Sequence, residues 1–267
     1  MFYYFGYGSN INLISLRAKG VDPIQSQKAM LKGWKLKFNV QHWFRHEGGM
    51  GNIESTGDPD DLVEGMVHLC HDEQLASMDA MESLGIAYDR IEVKLETETG
   101  PVTAWAYVGL PDYLDGSCLP TRRYLNIIIN GARAAGLSES YISKLSKQSL
   151  LPEVIYPEFK APEGNFPNYT KKSLSENPKL TALAGAVFDM SEARSKLRII
   201  ERLFGGKDMT LFHLKRHDSS TGNETIDDII KGNISDQGKK YLNTYLHEYN
   251  KEFNYAGRYI FDTDQEE

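Results

Sequence analysis

Two short segments carry residues able to do chemistry. The first is Tyr7-Gly8-Ser9-Asn10, which follows directly on the aromatic, β-prone run Phe2 to Tyr7. Its glycine lets successive N–H groups turn into one concavity suited to a carboxylate or phosphate. Ser9 and Asn10 add side-chain donors. The same tetrapeptide is also common turn chemistry. Two phosphate motifs are set aside: Gly6-Tyr7-Gly8 lacks the third glycine of a dinucleotide fingerprint, and Gly205-Gly206-Lys207 lacks P-loop spacing.

The second segment carries a carboxylate. Asp72 is a good N-cap for a helix ending at Gly85. On such a helix Leu75, Met78 and Glu82 share one stripe, which turns Glu82 inward at the last turn. Burial, the negative helix terminus and a nearby Asp79 all favour a neutral carboxyl there, the state that general acid–base work draws on. The alternative is that Glu82 turns to solvent or pairs with Arg90. His42 with His46, and His213 with His217, have i, i+4 spacing, but both pairs fall in strand or loop patterns, so surface histidines are expected and no metal site.

These residues must be positioned by a strand-rich region. Trp34, Leu36, Phe38 and Val40 share one face of a strand; Gly48 to Asn52 reads as a flexible loop and Leu62 to Leu69 as another strand. Ile91, Val93 and Leu95, then Val102, Ala104, Ala106 and Val108, mark two half-buried strands. Helices follow from Thr121 to Gly136 and after Ser138. This pattern predicts an α+β fold in which a small mixed β-barrel carries peripheral helices.

Three regions are expected: a domain over 1–150, a proline-rich linker or strap over 151–179, and an α+β extension over 180–267. Half of the ten prolines fall between Pro152 and Pro178, a stretch read as a linker or an ordered strap across the first domain. Leu183 to Met190 reads as a strand. Ser191 caps a helix closed by Gly205-Gly206, Met209 to Phe212 suggests a strand, Ser235 begins a longer helix, and Tyr255 to Phe261 is a last strand. The extension could serve as a small domain, a lid, or a dimerisation element that makes a homodimer.

Composition excludes some functions. A net charge of −7 argues against nucleic-acid binding by a basic face. No apolar run reaches the ~20 residues of a membrane span, and the Met1-Phe2-Tyr3-Tyr4 start is unlike a signal peptide. Two cysteines make neither a disulfide scaffold nor a zinc cluster, so a reducing cytoplasm is expected.

Further motifs occur in order with the first two. They are Tyr4-Phe5-Gly6-Tyr7-Gly8-Ser9-Asn10, Leu31-Lys32-Gly33-Trp34-Lys35-Leu36, Gly48-Gly49 and Val63-Glu64-Gly65-Met66-Val67. Met78-Asp79-Ala80-Met81-Glu82-Ser83, Tyr88-Asp89-Arg90-Ile91-Glu92-Val93, Tyr107 and Pro120-Thr121-Arg122-Arg123-Tyr124 complete the set. Over residues 2 to 148 the chain resembles the γ-glutamylcyclotransferase family, including its γ-glutamylamine-specific and avirulence-induced-like relatives. The resemblance implies release of 5-oxoproline from a small γ-glutamyl substrate, without cofactor, with Glu82 as general acid and base. It implies substrate binding by Tyr4, Phe5, Gly6, Tyr7, Gly8, Ser9, Asn10, Tyr88, Tyr107 and Tyr124. The chain departs from the family at Ser83, where relatives have glycine. That departure and the extension motivate a second reading, a non-catalytic binding protein on the same fold.

Overall fold

A computed structural model of the chain describes residues 1–261, which fall into two compact units, Met1–Glu153 and Val154 onward. The first unit runs β1 (Phe2–Gly6), α1 (Leu13–Ala18), β2 (Gln25–Lys32), β3 (Trp34–Gln41), β4 (Gly49–Ser55), β5 (Leu62–Cys70), α2 (Leu75–Met81), β6 (Tyr88–Thr97), β7 (Gly100–Gly109), α3 (Arg122–Ala134) and α4 (Glu139–Ser146). Five strands close a barrel in the order β1-β5-β2-β6-β7. Neighbours are antiparallel except at the closing seam, where Tyr4 of β1 pairs in parallel with Trp105 of β7. The fold is α+β, a mixed barrel with peripheral helices, as the strand periodicity predicts.

Alternation explains the barrel. Val93, Leu95, Ala104 and Ala106 point into a core that also holds Phe5, Tyr7, Leu31, Val63 and Val67. A second core lies under α3 and α4, where Leu125, Ile128, Tyr141 and Leu145 pack with Ile11 and Phe38. Thr121 and Ser138 cap these helices through their hydroxyls, accepting from the N–H groups of Tyr124 and Tyr141.

Two local expectations are corrected in this unit. Gly49 to Asn52 is not a flexible loop but part of β4, paired antiparallel with β3. Its glycines answer crowding: a Cβ on Gly49 would lie 1.9 Å from the Phe38 carbonyl oxygen. The helix before Glu82 is also shorter than expected. Residues 72–74 form a 3-10 turn, α2 starts at Leu75, and Asp72 caps nothing but accepts from the terminal amine of Met1 at 2.6 Å.

The second unit contains β8 (Asn168–Tyr169), α5 (Lys171–Ser175), β9 (Leu180–Leu183), β10 (Ala186–Asp189), α6 (Arg198–Phe204), β11 (Lys207–Asp208), α7 (Thr210–Lys215), α8 (Ile226–Ile230), α9 (Asp236–Glu252) and β12 (Asn254–Tyr259). Its sheet has the order β11-β9-β10-β12-β8. The run from Leu183 is not one strand: Ala184 (φ 47°) and Gly185 (φ 84°) turn the chain between β9 and β10, as in a tight hairpin. The strand expected over Met209 to Phe212 is helix α7, and α6 starts at Arg198 rather than just after Ser191.

The proline-rich segment begins in the first unit, where Leu151 N–H donates to the Pro120 carbonyl, and from residue 154 on it belongs to the second. Tyr156 donates to Glu248 at 2.5 Å, Phe159 N–H donates to Asn243 at 2.8 Å, and the Tyr156 ring stacks on His247 at 4.7 Å, all on α9. Among the described residues, no helix is long and apolar enough to cross a membrane.

Candidate active site

The Tyr-Gly-Ser-Asn loop leaves β1 and closes in a 3-10 turn over Ser9–Ile11. Asn12 then caps α1, its side chain accepting from the N–H groups of Ile14 and Ser15. Strand register places His68 of β5 opposite both Tyr4 and Ser26. From there His68 Nε2 reaches the Asn10 carbonyl oxygen at 3.0 Å, while Nδ1 lies 2.8 Å from Ser26 Oγ. Since a carbonyl only accepts, Nε2 carries the proton and Nδ1 accepts from Ser26. Burial pushes the His68 pKa down to about 4, so the ring is neutral and pins the loop from beneath.

The Asn10 side chain links the loop to the carboxylate. Its amide nitrogen donates to Glu82 Oε1 at 3.0 Å and to the Tyr4 hydroxyl oxygen at 2.6 Å. Its Oδ1 is buried with no protein partner. Glu82 caps the C-terminus of α2 and faces inward, its side chain 14% exposed. Lys19, at the C-cap of α1, extends Nζ to the same Oε1 at 2.8 Å and is itself 8% exposed. Arg90 does not pair with Glu82. It binds both oxygens of Asp79 at 2.8 and 2.7 Å, which neutralises the neighbouring acid. The expected push of Asp79 toward a neutral Glu82 is thus cancelled, and the Lys19 ammonium favours the carboxylate.

Tyrosines surround this pair. The Tyr124 hydroxyl accepts from Gly51 N–H at 3.0 Å and from Ser9. A Cβ on Gly8 would lie 3.1 Å from that oxygen and one on Gly51 3.2 Å away, so both glycines make room for it. Tyr88 donates to the Gly51 carbonyl at 2.9 Å, Tyr7 to the Tyr107 carbonyl, and Tyr107 to Asp79 at 2.6 Å. Desolvation, first, holds all five phenol pKa values above their ordinary range; Glu82's charge adds to this at each. They are neutral hydrogen-bonding groups.

The structure therefore gathers Glu82 with Tyr4, Tyr7, Asn10, Tyr88, Tyr107 and Tyr124, and packs Gly8 and Ser9 against Tyr124. Phe5 instead fills the barrel core. Gly6 serves close packing, since a Cβ there would lie 2.9 Å from the Asn10 carbonyl oxygen and 3.1 Å from His68 Nε2. Lys19 and His68 escaped sequence reasoning. A lysine after a short helix looks like a dipole partner, and a histidine in a strand carries no motif.

Ser83 adopts φ 55°, the left-handed conformation that glycine favours just past a helix end. Its buried hydroxyl has no partner. His213 is not the surface residue expected: it lies on helix α7, 2% exposed, with Nε2 2.9 Å from the Tyr249 hydroxyl, because the segment read as strand is helical and packs its ring among the tyrosines of α9.

Comparison with known proteins adds an independent line. The AIG2-like family profile matches residues 62–145, inside the first unit. A Mus musculus protein named gamma-glutamylcyclotransferase is 31% identical over 150 residues, covering 54% of this chain and 77% of that protein. Gamma-glutamyl cyclotransferase gliK of Claviceps purpurea is 27% identical over 146 residues, 51% of this chain and 65% of its own. The crystal structure of the uncharacterized protein loc79017 from Homo sapiens superimposes with a TM-score of 0.50 at 29% identity, covering 57% of this chain and 90% of that one.

Proposed function

This chain belongs to the γ-glutamylcyclotransferase family, and from that premise we propose that it releases 5-oxoproline from γ-glutamyl amino acids or peptides. The observation that carries the reading is the 3.0 Å contact between Glu82 and Asn10, 72 residues apart in sequence. It brings an inward carboxylate to a loop that can hold an amino-acid head group.

The Glu82 carboxylate takes a proton from the substrate's α-ammonium. The freed amine attacks the γ-amide carbon, forming the ring C–N bond and a tetrahedral oxyanion. Collapse breaks the bond to the departing nitrogen as protonated Glu82 gives it the proton; Glu82 then takes the second proton of the ring nitrogen and passes it to the freed amine, which leaves as an ammonium. The carboxylate is regenerated, and neither metal nor cofactor enters. Tyr124 accepts donors from Gly51 and Ser9, which leaves its own O–H to meet the oxyanion or the substrate carboxylate. Asn10 Oδ1 is a buried acceptor suited to an α-ammonium hydrogen. Folding the glutamyl chain into a ring-closing pose supplies the entropic advantage. Cys70 and Cys118 are both unbridged, which supports a reducing, cytoplasmic setting.

The test is 5-oxoproline release from a panel of γ-glutamyl amino acids, dipeptides, amines and glutathione. The wild-type chain is expected to act on at least one class, and Glu82→Gln about 10²–10⁴-fold more slowly on that class, with unchanged circular dichroism. Binding without turnover by both proteins would establish a binding module instead.

A further inference from the structure

Helices α1 and α2 end side by side, and their C-caps are Lys19 and Glu82. A carboxylate at a helix C-terminus meets the negative end of the dipole, and this one is largely withdrawn from water. Both effects favour a protonated carboxyl, which could not begin the proposed reaction. We infer that Lys19 is a positioning residue for that reaction, its ammonium holding the Glu82 side chain ionised and aimed at the Tyr-Gly-Ser-Asn loop. This inference rests on the reading of Glu82 as the base.

The surroundings support it from each element packed there. Tyr4 and Tyr7 from β1 and its loop, Tyr88 from β6, Tyr107 from β7 and Tyr124 from α3 all feel the Glu82 charge, and all are neutral phenols. Asp79 of α2 and Arg90 of β6 satisfy each other. The Asn10 amide contributes a dipole but no charge. Lys19 supplies a full cation at 2.8 Å from Oε1, reaching it from 63 residues away in sequence. The same cation disfavours a second ammonium nearby, so it also eases proton loss from the substrate's α-amine. Lys19 keeps its proton throughout; the transferred proton passes from α-ammonium to Glu82 to the departing nitrogen.

The experiment uses the full chain and Lys19→Met, Lys19→Gln and Lys19→Arg. Two readouts are taken: the pH profile of kcat/KM for 5-oxoproline release, and the titration of the Glu82 carboxyl by carbon-13 NMR, assigned from its absence in Glu82→Gln. In Lys19→Met and Lys19→Gln the acid limb and the carboxyl titration should both move up by about one pH unit or more. Activity at pH 6 should fall at least about tenfold and recover in part above pH 8. Lys19→Arg should keep the wild-type profile. A uniform loss at every pH with an unmoved titration overturns the inference and leaves Lys19 a structural tie. A wild-type chain that releases no 5-oxoproline overturns the function itself, before any Lys19 variant is scored.

Discussion

Each unit holds a partly buried acid beside tyrosine, and the two acids are treated differently. In the first, Glu82 faces a cation and the side-chain amide of the Tyr-Gly-Ser-Asn loop. In the second, Asp208 accepts from Thr210 at the start of α7, its Oδ1 2.6 Å from the hydroxyl, and lies near Tyr249. No cation is among the causes that set its proton affinity; desolvation dominates and raises its pKa to about 6. A partly buried carboxylate beside a tyrosine is therefore not by itself a site. What separates the two is a charge partner and a loop brought in from distant sequence.

His68 and Asp208 also tie stability to pH with opposite signs. His68, depressed to about 4, binds its proton more weakly folded than unfolded. Its neutral contacts stabilise the first unit above about pH 6.5, and that stability is lost as pH falls through about 4. Asp208, raised to about 6, binds its proton more tightly folded. Its stabilisation is complete below about pH 4 and is lost as pH rises through about 6.

The strongest test of this contrast is functional. Glu82→Gln should lower 5-oxoproline release by about 10²–10⁴-fold, while Asp208→Asn leaves it within about twofold. Equal loss in both would break the distinction. Next, amide hydrogen exchange between pH 7 and 4.5 should show the barrel strands β1 and β5 losing protection in the wild type. His68→Gln should flatten that dependence and cost on the order of 1–3 kcal/mol at pH 7, because the Asn10 carbonyl loses a well-placed donor. In the second unit, Asp208→Asn should raise protection around α7 at pH 7 and remove its change toward pH 5; the wild-type effect is at most on the order of 1–3 kcal/mol. Acid weakening of both units alike would refute the opposite signs.

The smallest effects concern backbone strain. Ser83 and Ala184 both hold left-handed φ, one in each unit. Replacing either with glycine relieves about 1–2 kcal/mol of strain, against about 0.5–1 kcal/mol of added unfolded-state freedom. Ser83→Gly should gain more, by about 1 kcal/mol, because it also removes a buried hydroxyl without a partner. Denaturant unfolding of the two variants ranks them, and a destabilised Ser83→Gly would mean that its hydroxyl contributes to the fold.

The parts legible in sequence are those that local chemistry decides. Alternation marked β6 and β7, and hydroxyl caps marked α3, α4 and α9, since period and capping depend only on near neighbours. The stripe through Leu75 and Met78 already turned Glu82 inward. The same reasoning failed where a distant partner decided. Gly49 to Asn52 became a strand because β3 pairs with it, and Met209 to Phe212 became helix despite a β-like pattern. Arg90 chose Asp79, and Lys19 chose Glu82, because barrel closure and the register of β6 fixed which ends met. By itself, then, the sequence determined the strands and helices that local period and capping decide, the family motifs and a candidate carboxylate. The tertiary structure decided that carboxylate's charge partner and its loop, because ion pairing and desolvation act through space and leave no local period to read.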